Sequence, residues 1–328
     1  MSEAVAEKVF ANRAGQPLAP AAPHPRWLHR WSILTVTAAI VLLGLGSAVT
    51  TFRAGMADPV WPTAPTALLQ ASAEQLGDVR FIIEHSHRLA GWLVGGCSIV
   101  LAAWLWLTEP RRWLAWLGIA AVVGVGVQGL FGGLRVTEDV RWGLEFRIVH
   151  GCFAQVVLAL LVSIAVFTSP SWVAASTVSA APGQVRRLRR SAVSALALVY
   201  FQIIFGVLLR HTYNSVAQRL HLITAFAAVA AVVWLIKVIW GQDDRPLTLA
   251  SGILACVLGL QLLLGVEAWM VQFSSGMIPD ALPLTAQRVA VRTAHVLGGS
   301  LLLTATVATT LLTFRDPATS AHPLEAAA

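Results

Sequence analysis

Residues 84–96 read EHSHRLAGWLVGG, so a carboxylate, two histidines and an arginine open a long apolar run. Ionisable side chains at membrane depth are costly, and where they occur they line a cavity, pair with one another or hold a ligand. Whether this stretch begins a membrane span therefore decides both the fold class and the kind of site to look for.

The rest of the chain answers the first question. Of its 328 residues 57% are hydrophobic and 12% charged, with a mean hydropathy of +0.71, far from the composition of a soluble domain. Runs of about 20 apolar residues, the length of helix that crosses a bilayer, begin near Trp31, Phe81, Trp113, Phe146, Ser191, Gln218, Leu247 and Arg288. None has the two-residue alternation of a barrel strand, and only helices and closed barrels satisfy the backbone in lipid. The expectation is an all-α membrane protein with eight transmembrane helices in two tandem four-helix bundles. Residues 1–30 read as a disordered cytoplasmic tail rather than a signal peptide. The bundles are expected at 31–167 and 191–313, joined by a basic cytoplasmic linker at 168–190, with a second cytoplasmic tail at 314–328.

The net charge of +7 and pI near 10.3 raise the question of nucleic acid. The arginines are scattered between apolar runs, with no basic face carrying aromatic platforms, so nucleic acid is excluded as a partner. Topology accounts for the charge instead. With the N-terminus inside, the inner segments hold Lys8, Arg13, Arg26, Arg30, Arg111, Arg112, Arg186, Arg187, Arg189, Arg190, Lys237, Arg245 and Arg315, 13 of the 23 basic residues. Of the remaining 10, Arg88, Arg147, Arg219 and Arg292 each stand within three residues of one of four in-span histidines; setting those aside leaves 13 against 6 and puts both termini in the cytoplasm. The RRLRR of residues 186–190 reads as an anchor on anionic lipid. The three cysteines, Cys97, Cys152 and Cys256, lie in apolar segments without metal-ligand spacing. The tryptophans near span ends read as an interfacial belt.

The halves repeat. Gln128 to Gly132 in the third span matches Gln261 to Gly265 in the seventh, and Gln202 with Gly206 repeats the QxxxG spacing in the fifth; such residues are also ordinary glue between membrane helices. Four histidines fall at matching places, His87, His150, His221 and His295, one on each even-numbered span and all near its outer end. A histidine pair per half is what axial ligation of a heme iron requires, and coordination removes the penalty of a buried imidazole. Gly91, Gly95, Gly96, Gly151, Gly298 and Gly299 would leave room for a flat macrocycle, and Arg88, Arg147, Arg219 and Arg292 would meet its propionates. The competing reading of packed histidines with snorkelling arginines does not account for four of each in register. Glu84 shares a helical face with His87 and Arg88. It is either an Arg88 ion-pair partner or a proton-handling group, and the second is favoured because Gln218 replaces the carboxylate before His221. His85 points elsewhere and reads as interfacial, His211 as a secondary ligand-contact candidate, and His24, His29 and His322 as solvated tail residues.

At these residues the chain resembles the heme A synthase family, over about Gly44 to Thr304. The resemblance rests on Gly55-Met56-Ala57 with Trp61-Pro62, on Glu84-His85-Ser86-His87-Arg88, on Gln128 to Gly133, on Arg210-His211-Thr212, and on Arg292-Thr293-Ala294-His295. It implies oxidation of a ring methyl of heme O to a formyl group with molecular oxygen and electrons, giving heme A for respiratory oxidases. By the same resemblance His221 and His295 would ligate a heme b, His87 and His150 would flank the substrate heme, and Glu84 would be the essential acid. Implied partners are heme O, heme A, heme O synthase and terminal oxidase assembly factors, in the plasma membrane of a bacterium, with the sites near the outer face. The electron donor and a homo-oligomeric state stay open. The chain departs from the family where Val60 precedes Trp61 and the acid stands at Asp58, and it lacks paired outer-loop cysteines. Two alternatives stand beside this reading. One is a di-heme cytochrome b that only transfers electrons, which would want hemes at different depths, and the other is a heme transporter.

Overall fold

The computed structural model describes residues 26–58, 60–62, 65–66, 70–173, 182–242, 244–273 and 283–315. Within them the chain is helical, with no strand. Eight long helices, each apolar enough to cross a membrane, are α1 Arg26–Thr51, α2 Val79–Thr108, α3 Arg112–Thr137, α4 Asp139–Phe167, α5 Pro182–Thr212, α6 Ser215–Trp240, α7 Arg245–Phe273 and α8 Ala286–Thr313. Two short helices, Ala73–Gly77 and Pro170–Val173, sit in the connections. Side-chain caps start several of the long ones. Asp78 accepts from Arg80 N, Asn214 from Val216 N and Thr285 from Arg288 N, each satisfying a backbone donor that a helix start leaves open.

Consecutive helices pack as neighbours, and each half closes on itself through α4 against α1 and α8 against α5. The halves meet through α4 with α8, α1 with α8 and α4 with α5. The last two pairs exchange under a twofold rotation that carries the first half onto the second. One hydrogen bond marks the axis. Counted from the histidine of its own helix, Gln155 on α4 corresponds to Ser300 on α8, and Gln155 Nε2 donates to Ser300 Oγ at 3.1 Å. Equivalent positions can touch only where a twofold axis passes between them. The central position of α8 is reflected in its burial, 61% of its apolar window against 17% for α5 and α7.

The tight core fills one end of both bundles. Leu28 and Val36 on α1, Leu101 and Leu105 on α2, Leu114 on α3, Leu158 and Leu161 on α4 begin it. Leu188 and Ala195 on α5, Val232 and Leu235 on α6, Leu247 and Leu254 on α7, and Leu303 and Val307 on α8 continue it through the second half. All of these lie toward the end opposite the four histidines. Polar ties close that end: Glu109 and Arg111 form a buried pair at 2.7 and 3.1 Å, and Arg189 Nε donates to Thr313 O at 3.1 Å.

Two segments differ from the sequence expectation. α1 begins at Arg26, and His29, read as solvated tail, places Nδ1 3.1 Å from Ala165 O. α5 begins at Pro182, so the RRLRR run is helix rather than linker; Arg and Leu are good helix formers and Leu188 is fully buried in the core. His24 and His322 lie outside the described residues.

Candidate functional site

At the loosely packed end, each of the four histidines leans on a glycine of the preceding helix. A Cβ built on Gly46 would fall 2.9 Å from His87 Cε1, and one on Gly206 would fall 3.0 Å from His221 Cε1. For Gly132 with His150 and Gly265 with His295 the separations are 3.2 and 3.3 Å. The QxxxG pattern thus has a use beyond helix contact, because its glycine admits an imidazole that an alanine would crowd. For His87, His150 and His221 the residue four before the glycine then meets the ring. His87 Nδ1 lies 3.2 Å from Leu42 O, and His221 Nδ1 lies 3.2 Å from Gln202 O. A backbone carbonyl can only accept, so both rings carry the proton on Nδ1 and present Nε2 as a lone pair, as a metal-ligating histidine does. Gln128 Nε2 lies 3.1 Å from His150 Nδ1 and donates to His150 O at 2.9 Å. Gln202 is itself held by Thr224, whose hydroxyl donates to Oε1.

His221 and His295 face each other with ring centroids 6.4 Å apart and planes at 87°. Two metal–nitrogen bonds of about 2 Å, with half an imidazole on either side, come to about 6 Å, so the pair has the spacing of two rings that share one metal atom. Gly91 and Gly95 continue the His87 stripe at successive turns of α2, and an added Cβ at either meets nothing within 4 Å. Gly96 is open too, whereas Gly151 abuts Val207, and Gly298 and Gly299 abut Gln261. Those last three are packing glycines rather than ring space.

The glycine–histidine contacts fix a residue-by-residue correspondence between the halves. Arg147 and Arg292 coincide, as do Gln128 and Gln261. Among the residues whose charge the second half does not keep are Glu84, which corresponds to Gln218, Arg88, which corresponds to Leu222, and Arg135, which corresponds to Ala268. Glu84 and Arg88 belong to one cluster. The Glu84 carboxylate is buried, accepting from Arg88 Nη2 at 2.6 Å through Oε1 and from Asp58 N at 2.9 Å through Oε2. Arg88 also donates to Asp58 O at 2.7 Å and to Val60 O at 2.6 Å. His85, expected at the interface with lipid, is instead buried, stacked on Phe81 at 4.1 Å with Nε2 3.5 Å from Asp58 Oδ2. Asp58 comes from the first outer loop, which also lays Trp61 on Gly133 and Gly55 on the Arg135 guanidinium.

The remaining candidates divide. Arg147 Nε donates to Gly143 O at 2.8 Å, and Arg292 reaches Tyr213 Oη at 3.3 Å. His211 feels the charges of Arg210, Arg147, Arg135 and Arg292, so cations from both halves converge around it. Arg219 is exposed on the first turn of α6, at the position corresponding to His85. Arg210, quoted above only as part of a motif, ties the halves together: its Nη2 donates to Ser47 O and to Thr51 Oγ1, both at 2.8 Å.

The sequence model of the COX15-CtaA family, described as cytochrome oxidase assembly protein, matches residues 29–219. A protein of Alkalihalophilus pseudofirmus named heme A synthase is 30% identical over 139 residues, covering 40% of this chain and 45% of the relative. A protein of Lysinibacillus sphaericus with the same name is 29% identical over 198 residues, covering 58% of this chain and 61% of the relative. The chain therefore spans between 45% and 61% of the length of these two relatives.

Proposed function

The chain belongs to the COX15-CtaA family of cytochrome oxidase assembly proteins, and on that premise we propose that it is a heme A synthase, oxidising a ring methyl of heme O to a formyl group with molecular oxygen as oxidant. The observation that carries this reading is the asymmetry of the two halves. Both keep a histidine pair, its glycines and the Arg147/Arg292 position, which is the equipment for holding a heme. The first half alone adds a buried carboxylate one turn from a ligand histidine. A protein that only conducts electrons has no need of that difference.

His221 and His295 are the ligands of heme b in the second half, a group that supplies one-electron redox chemistry when bound. The Gln202 carbonyl holds His221 in the tautomer that ligation needs, and Gly206 and Gly265 let the rings stand close to their helices. His87 and His150 flank the substrate heme in the first half, where the Leu42 carbonyl does for His87 what Gln202 does for His221. Glu84 is the acidic residue beside them, and Arg88 with the Asp58 amide fixes the direction of its carboxylate. Arg147 and Arg292 furnish positive charge for heme propionates, His211 is a ring hydrogen-bond partner for them, and the exposed Arg219 is the weakest member of that set. The protein acts in the plasma membrane of a bacterium, with both termini cytoplasmic and the sites toward the outer face. It takes heme O from a heme O synthase, hands heme A to oxidase assembly, and receives electrons from a donor outside this chain.

Co-expression with a source of heme O tests the function directly. Heme A is expected in the extracted hemes by mass; heme-loaded protein that yields heme O alone would overturn the reading. The glycine–histidine contact gives a second test. Gly206→Leu is expected to displace His221 and lower heme retained per protein by at least tenfold, in line with the loss of a ligand-orienting contact. Gly259→Ala, where the added carbon meets nothing within 4 Å, is expected to leave retention unchanged, and heme content after purification reads both.

A further inference from the structure

Arg135 stands on the α3 stripe that faces His150. Gln128, Gly132 and Arg135 are spaced four and three residues apart and so share one helical face. The first two touch the His150 ring or backbone, and Arg135 lies one turn beyond them, toward the end of the bundle. Gly132, one turn before it on the same face, packs against the His150 ring, so Arg135 stands at the loop end of that ring. The backbone of the first outer loop covers it, since any Cβ at Gly55 would overlap the guanidinium. Arg135 is half-buried there, and a partly desolvated guanidinium binds a carboxylate more strongly than a fully exposed one.

The correspondence between the halves makes the position specific to the first. Ala268 occupies it on α7, whereas the Arg147 position recurs as Arg292. Arg88, the other arginine peculiar to the first half, is committed to Glu84, Asp58 and Val60. We infer that Arg135 binds a propionate carboxylate of the porphyrin substrate beneath the first outer loop, and so sets which way round the substrate enters the first half. This rests on the reading of that half as the substrate site.

The full-length protein, carrying its resident heme, is titrated with heme O and with heme O dimethyl ester, and uptake is followed by difference absorbance in the Soret region. The wild type is expected to favour the free acid by roughly 10- to 100-fold, the worth of a charged hydrogen bond. Arg135→Gln is expected to lose most of that preference, about tenfold, keeping only the share that Arg147 supplies through the other propionate, and Arg135→Lys is expected to restore part of it. Gly55→Ala, which keeps the arginine but pushes it aside, is expected to weaken the preference as well. If Arg135→Gln weakens both forms equally while keeping the preference, the residue only holds the loop and the inference is overturned. If uptake of either form is insensitive to His150→Ala, the first half is not the substrate site and the function reading fails with it.

Discussion

Alanine at His221 or at His295 is expected to leave the purified protein without heme b, while alanine at His87 or His150 leaves the resident heme in place. The ring spacing of 6.4 Å in the second half is that of two imidazoles that would share one metal atom. Removing either would leave the heme with one of its two protein ligands and the other histidine as a polar group without that partner. Loss of even an outer partner of a ligating histidine costs about 10- to 100-fold in metal affinity, so loss of the ligand itself is expected to exceed that. Gln202→Ala should fall between, because its carbonyl, the group that fixes His221, survives the change and only the amide beside the ring is lost. Heme per protein after purification, with helix content by circular dichroism as the control for folding, measures the series. Retention of heme b in the His221 variant together with its loss in the His87 variant would exchange the roles of the halves.

The parts of this arrangement that the sequence discloses are those that repeat. Eight apolar runs and four histidines in register are local signals, and each is read from one stretch of chain. The glycine partners were half disclosed. The QxxxG spacing is visible at Gln128, Gln202 and Gln261, but in α1 the first position is Leu42, because there only the backbone carbonyl is used. A pattern of side chains cannot register a partner that acts through its main chain. The sequence leaves Asp58 without a partner, sets His85 at the interface and does not single out Arg135, for a different reason. Their placement depends on a loop folding back over α2 and α3, and a contact such as Asp58 N to Glu84 joins residues on separate elements with no periodicity to announce it. Arg210 is hidden in the same way, because it crosses from α5 to α1 between the halves. The one signal available in advance was negative. Arg135 and Arg88 stand at positions that the second half fills with Ala268 and Leu222, and residues that break a repeat are where its two copies do different work.

That contrast yields the second large effect. Glu84→Gln with Arg88→Leu rewrites the first half in the residues of the second, Gln218 and Leu222. The double variant is expected to take up heme O in a His150-dependent manner and to make no heme A. Single replacement is less clean. Both Glu84 oxygens accept hydrogen bonds, from Arg88 Nη2 and from Asp58 N, and the amide nitrogen of a glutamine would have to face one of these donors. Glu84→Ala leaves the Arg88 charge without its closest partner in a buried site, which destabilises by about 3–5 kcal/mol when an ion pair of this kind is broken. Removing both members avoids each penalty, since a pair deleted together and replaced by groups of similar shape costs little. A loss of product then reports chemistry rather than folding. Proton transfer by a placed side chain is worth about 10²–10⁴ in rate, so the ratio of heme A to heme O in co-expressing cells should fall at least a hundredfold. Asp58→Ala separates the remaining possibility. It frees the loop from His85 and weakens the hold on Arg88 while leaving the carboxylate of Glu84 intact, and a modest decrease in heme A is expected. Should Asp58→Ala abolish heme A as fully as the double variant does, the cluster serves to close the loop and Glu84 has no proton to move. Should the double variant still make heme A at the wild-type ratio, the acid is not part of the reaction at all.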